Sequence, residues 1–348
     1  MEKVKIGFVG VGGMGQVAHL RNYVTHSGCE VVAIAELRED VRTRVAARYG
    51  IPKTYTRFEE MLENEKLDGI VASQPFMRHG VLLTALFQAK TPVLSEKPLA
   101  ASIQVGERIL AAAQATGVSY YVGYHKRSDP AVMYAKKEIE ELRESGELGR
   151  LKYVRIVSPV GDWIQGGFDG LISGPRAEGL EMDPPAPDMD AATYAAYSTF
   201  VNVYIHQINL MRHLLGEDYA MKYAERNGLM LAVESASGIP GVIEIAPYTT
   251  TLAWQEEAMV CFEKGYVRIA IPAPLVVNRC GEVSIYKDPG NGATPQEIRP
   301  QMPWVHAFKQ QAINFCNAIQ GEKTPLCGPE DALKDLKVSL DYTLMKGK

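Results

Sequence analysis

The chain has 348 residues with a formal net charge of −4, 46% of them hydrophobic and 22% charged, a length that predicts two globular domains rather than one core. The weakly acidic balance gives no basic surface for nucleic acid or an anionic membrane, and no apolar run is long enough to span a bilayer. Cysteines 29, 261, 280, 316 and 327 are scattered without C-x-x-C spacing, which argues against a structural zinc site or a disulfide framework and fits a reducing cytoplasm. The N-terminal stretch "MEKVKIGFVGVGGMG" enters a strand pattern at once and leaves no room for a cleavable signal segment.

In chain order, residues 4–11, 30–36, 67–74, 91–96 and 118–124 are short, β-branched and nearly continuous in apolar residues. Strands buried on both faces of a parallel sheet have this composition. Helical patterns over 39–49, 77–90 and 102–116 alternate with them, which predicts a doubly wound α/β domain over residues 1–124. Residues 125–348 have another rhythm. After a helix near 130–145, strand runs such as "LKYVRIVS", "EEAMVCFEKGYVRIAI" and "LVVNRCGEVSIYK" follow one another through turns. They predict an α+β domain with an open, mainly antiparallel sheet, interrupted by helices near 197–215 and 304–320. Residues 159–195 form a Gly/Pro-rich connector, long enough to be a functional arm or lid.

"GFVGVGGMGQVAHL" sets Gly10, Gly12 and Gly15 in G-x-G-x-x-G spacing after a strand and at the start of a helix. That spacing permits a tight turn, close approach to a pyrophosphate and close strand–helix packing, with the helix N-terminus facing the phosphates. The next strand ends in Glu36, placed to accept hydrogen bonds from the ribose hydroxyls of NAD and to repel a 2′-phosphate. Arg38, two residues on, is the group that would instead accommodate that phosphate.

The helix "STFVNVYIHQINLMRHLLG" is mostly apolar, yet Asn202, His206, Asn209 and His213 recur on one face. Uncharged hydrogen-bonding groups on such a helix predict a half-buried polar cavity. A histidine there titrates near neutral pH and suits proton removal from an alcohol. His213, at the helix end, is expected as a cap or a solvated residue.

Together, "GFVGVGGMG", "SQPFMRH", "SEKPLA", "GYHKRSDPA" and "NVYIHQINLMRHLLG" resemble the glucose–fructose oxidoreductase / inositol dehydrogenase / MocA family over essentially the whole chain. The resemblance implies NAD held by Gly10, Gly12, Gly13, Met14, Gly15, Glu36, Arg38, Ser73, Gln74, Pro75, His79, Glu96, Lys97 and Arg127. His79 could equally be structural, and Glu96 is expected to serve the local turn. It also implies that Lys97 hydrogen-bonds the reacting hydroxyl and that His206 is the proton acceptor. Pro98 fixes the turn through a cis peptide. Lys126, Trp163, Asn202 and Asn209 are implied near substrate, although Trp163 could also be a core or interface residue. Asn202 and Asn209 stand where the family often has aspartates. The implied protein is a cytoplasmic homodimer or homotetramer packed through its open sheet. It would transfer hydride between NAD and a ring hydroxyl of a sugar, glycoside or cyclitol, without a metal. A redox-assisted, NAD-dependent glycoside-cleaving enzyme and a non-catalytic NAD-binding sensor are the alternatives.

Overall fold

The computed structural model describes residues 2–346. They form two units. The first contains the chain up to Tyr124 together with Phe168–Tyr194 and Phe308–Leu336. The second contains His125–Gly167, Ala195–Ala307 and the chain from Lys337 on. Two pieces that follow the first domain in chain order, most of the arm and a C-terminal segment, thus belong to the first unit.

The first unit is built on six parallel strands: β1 (Val4–Val9), β2 (Cys29–Ala35), β3 (Lys53–Tyr55), β4 (Gly69–Ala72), β5 (Val93–Ser95) and β6 (Tyr120–Val122), in the order β3-β2-β1-β4-β5-β6. Strand β4 is buried at every residue, as expected where helices cover both faces. Strand β3 and the helix Phe58–Asn64 are elements that the sequence pattern does not mark. Lys53 and Thr54 are exposed, so β3 lacks the apolar run that distinguishes its neighbours. Register aligns Val9 with Ala35 and Ala72, and Ala72 with Ser95. The strands that carry the motifs therefore end level with one another. Strand order reverses between β1 and β4, and the crevice at such a switch point is where doubly wound sheets bind ligands. From the C-terminal part of the chain, Phe315 and Cys316 of the helix Ala307–Ile319 join Ile6, Phe8 and Leu94 in the core.

The second unit holds an eight-stranded sheet: β7 (Leu151–Val157), β8 (Tyr219–Ala224), β9 (Met230–Ser235), β10 (Pro240–Glu244), β11 (Glu256–Phe262), β12 (Gly265–Ile271), β13 (Glu282–Lys287) and β14 (Gln296–Ile298). Its order is β14-β13-β12-β11-β7-β10-β9-β8, antiparallel except between β7 and β10. Alternation decides its faces. In β11, Ala258, Val260 and Phe262 are buried, while Glu257, Met259 and Cys261 are half-buried. The helices Pro130–Ser145 and Ala191–Leu215 belong to this architecture. The second of them begins earlier than its pattern suggests, at Ala191 rather than near 197. No helix among the described residues is long and apolar enough to cross a membrane.

Candidate active site

The glycine loop leaves β1 at Gly10, whose φ of 88° lies in the left-handed region. A Cβ there would stand 2.5 Å from the Ser73 carbonyl oxygen, and a Cβ on Gly15 would stand 2.7 Å from that of Gly10. Only glycine fits either place. Gly12 and Gly13 are flanked instead by the Arg38 guanidinium and the Phe168 ring, at 3.6 and 3.5 Å from where their Cβ atoms would lie. Met14 precedes a π-helical opening turn, Gly15–Leu20, that continues as the α-helix Arg21–Val24. Single π turns recur at functional sites.

Glu36 follows β2 with its side chain 5% exposed. It accepts hydrogen bonds from the Val11 and Arg38 amides, both at 3.1 Å, and from Arg38 Nε and Nη2, both at 2.9 Å. Burial pushes its pKa up, but the Arg38 fork and these amides outweigh burial and hold it below the ordinary value. The site therefore presents an anion at the end of β2, with Arg38 folded onto it rather than extended. Two side-chain-free glycines and this acid fit the diphosphate and ribose of NAD.

The second loop of the crevice runs from β4 through Ser73, Gln74 and Pro75. The Ser73 amide donates to the Val9 carbonyl at 2.9 Å, and Gln74 lies against Gly10. His79 is fully buried, its Nδ1 3.1 Å from the Leu99 carbonyl and its Nε2 3.3 Å from that of Gln74. Burial lowers its pKa. Both nitrogens face backbone carbonyls and the neutral ring can donate to one of them, an arrangement that fits the structural reading, with His79 bracing this loop against the Lys97 loop.

Lys97 is half-buried beyond β5, and the Lys97–Pro98 peptide is cis, as the motif leads one to expect. Glu96 holds the turn. Its Oε2 accepts the Lys97 amide at 3.1 Å and its Oε1 lies 2.6 Å from Nε2 of buried His19. Burial raises the Glu96 pKa, but His19 and Lys97 more than offset it, so the carboxyl remains ionised. Sequence reasoning did not single out His19. The signal that could have found it is a histidine inside an otherwise apolar helix start.

In the second unit, the polar stripe divides by depth. Asn202 is exposed, His206 half-buried and Asn209 1% exposed. Asn209 Oδ1 accepts from Arg127 Nε at 2.7 Å. Arg127, implied as a cofactor contact, is thus anchored to the stripe through its Nε. The His206 ring meets His125 edge-on, with centroids 4.7 Å apart. His213, expected as a cap or a solvated residue, is half-buried in the last turn of its helix, and burial, aided by Arg127 and Lys136, lowers its pKa well below the ordinary value. Lys126 is 3% exposed and pairs with the fully buried Glu256 carboxylate, which also accepts from Gln207 Nε2 at 2.8 Å. Lys126 therefore has an internal partner that the substrate assignment did not foresee. Neither Glu256 nor Gln207 stands out in sequence, because one opens an apolar strand and the other lies off the stripe. Trp163 is 38% exposed, on a loop whose turn is made by Asp162 Oδ1 accepting from the Ile164 and Gln165 amides. Among the described residues, no group of three His, Cys, Asp or Glu could hold a metal ion.

Residues 4–124 match the model of an oxidoreductase family with an NAD-binding Rossmann fold. Myo-inositol 2-dehydrogenase of Thermotoga maritima is 24% identical over 70% of this chain, and the match spans 63% of that relative's length. The NAD⁺-dependent scyllo-inositol 2-dehydrogenase of Bacillus subtilis is 25% identical over 98% of this chain and 93% of its own. Among solved structures, a myo-inositol 2-dehydrogenase from Lactobacillus plantarum superposes with a TM-score of 0.69 at 19% identity, covering 99% of this chain and 98% of that one. At that identity the likeness establishes the fold.

Proposed function

We propose that the chain is a member of the glucose–fructose oxidoreductase / inositol dehydrogenase / MocA oxidoreductase family, whose NAD-binding Rossmann model matches residues 4–124, and that it is an NAD-dependent dehydrogenase acting on a ring hydroxyl of a sugar, glycoside or cyclitol. The observation that carries this reading is Lys97, half-buried just past β5, with its amide held by the buried Glu96 carboxylate that also meets His19.

A dinucleotide held by the glycine loop and Glu36 would supply the acceptor or donor for a hydride at the carbinol carbon. The chain supplies the rest. The Lys97 ammonium donates to the reacting oxygen and stabilises negative charge as it develops there. His206 takes the hydroxyl proton, and gives it back in the reverse direction. Asn202, one turn before His206, offers uncharged hydrogen bonds to neighbouring hydroxyls, and the Trp163 ring offers an apolar face to a sugar. Asn209 and Lys126 act indirectly, through Arg127 and Glu256. On this reading the protein works in the cytoplasm and assembles as a homodimer or homotetramer through the open face of its second sheet.

The test is a panel of sugars, glycosides and inositols incubated with NAD⁺ while reduced nicotinamide is followed by absorbance. Stoichiometric accumulation of NADH with one substrate class supports the proposal. Tight NAD binding with no NADH formed from any panel member would sink it.

A further inference from the structure

The arm that follows the second unit's first strand does not lie apart from the nucleotide fold. Ile172 is 5% exposed and belongs to the same apolar core as Val11, Leu20, Val41 and Val45. Its backbone is read by one side chain as if by a neighbouring strand: Gln16 Nε2 donates to the Ile172 carbonyl at 2.8 Å, and the Ile172 amide donates to Gln16 Oε1 at 3.1 Å. The same Gln16 Nε2 also donates to the Val11 carbonyl at 2.7 Å. Gln16, 1% exposed, therefore ties the arm directly to the glycine loop. Further along, Asp183 fixes the arm's far part by accepting from the Gly80 amide at 2.7 Å and from Arg108 Nη2 at 2.5 Å.

These anchors give Phe168 a defined place. Its ring lies 3.5 Å from the position of a Cβ on Gly13, beside the loop whose amides and helix end suit a diphosphate. We propose that Phe168, held by the Gln16–Ile172 anchor, is a cofactor-retaining residue: it covers the glycine loop and slows exchange of the bound dinucleotide. This inference rests on the cofactor reading above and concerns only the first unit. An aromatic ring on an approach path contributes by excluding water from the charged diphosphate and by contact with the ligand. Retention by the arm would let hydride transfer in both directions occur before the dinucleotide leaves.

The experiment uses the intact protein loaded with NADH, displaced by excess NAD⁺ and followed by stopped-flow fluorescence. Phe168→Ala is expected to dissociate NADH about tenfold faster, the weight of one good aromatic contact, while Phe168→Tyr keeps the parental rate. Gln16→Ala, which releases the anchor, should accelerate dissociation as well. Because that substitution leaves buried Ile172 and Val11 backbone groups without this partner and can cost folding, the two Phe168 variants decide the matter. NADH binding by the parent with an unchanged dissociation rate in Phe168→Ala would overturn the clasp alone. Absence of NADH binding to the parent would overturn the cofactor reading and the clasp together.

Discussion

The proposed function gives His206 and Lys97 different chemistry, so their substitutions should separate. If His206 is the proton acceptor proposed above, His206→Ala is expected to lower kcat by roughly two to four orders of magnitude, with NADH affinity by fluorescence titration nearly unchanged. Lys97→Ala should lower kcat comparably and also weaken ligand binding. No carboxylate stands at 202 or 209 to favour the charged imidazole, so Asn202→Asp should raise the His206 pKa and move the acidic limb of the pH–rate profile upward. An unmoved limb in a correctly folded variant would reassign the base. At the other end of the chemistry, Glu36 is an anion already engaged by Arg38. The protein is expected to bind NADH more tightly than NADPH, and Glu36→Ala should narrow the gap by about tenfold, the value of a hydrogen bond to a charged group. Tighter NADPH binding by the parent would instead assign the preference to Arg38.

At the scale of elements, the helix Pro130–Ser145 is started by Asp129, which accepts the Ala131 amide at 2.9 Å and the Gly281 amide at 3.0 Å. Burial nevertheless pushes its pKa up to about 6, against those hydrogen bonds and the Lys126 charge. A carboxyl raised in the folded state favours folding while it is protonated, and that contribution is lost as pH rises from about 4 to about 6. Asp129→Asn keeps an acceptor without the charge. Its melting temperature relative to the parent should therefore climb between pH 4 and pH 7, by an amount equivalent to about 2 kcal/mol. A constant difference across that range would show that Asp129 does not titrate there.

At the scale of the whole molecule, one face of the eight-stranded sheet carries Tyr153, Met259, Cys261, Tyr266 and Tyr286, all half-buried. The Tyr266 and Tyr286 rings stack at 5.6 Å across β12 and β13. Arg155–Glu244 and Arg268–Glu257 ion pairs interrupt this surface. A partly apolar sheet face with paired charges suits a self-complementary contact. The parent should elute as a dimer or tetramer by size exclusion with light scattering. Met259→Asp, which places an unpaired charge on that face, should shift it to a smaller species without loss of secondary structure. A parent that is monomeric at micromolar concentration would exclude assembly through the sheet.

Much was legible in the sequence because it is encoded locally. The two rhythms of strand and helix follow from side-chain period and turn chemistry. Gly10 and Gly15 follow from backbone approach, and the acid after β2 from the spacing of a βαβ unit. The cis-Pro98 turn was likewise written in its motif. What only the tertiary structure decided are the partners. Gln16 meets Ile172 across 156 positions and Lys126 meets Glu256 across 130, and the segment Phe308–Leu336 returns to the first unit. The choice of partner for a buried amide or charge depends on which distant segments pack together and what each must satisfy once water is gone. No local period carries that information, so His79 as a brace, Lys126 as an internal ion pair and the arm as part of the nucleotide fold emerge only when the chain is folded.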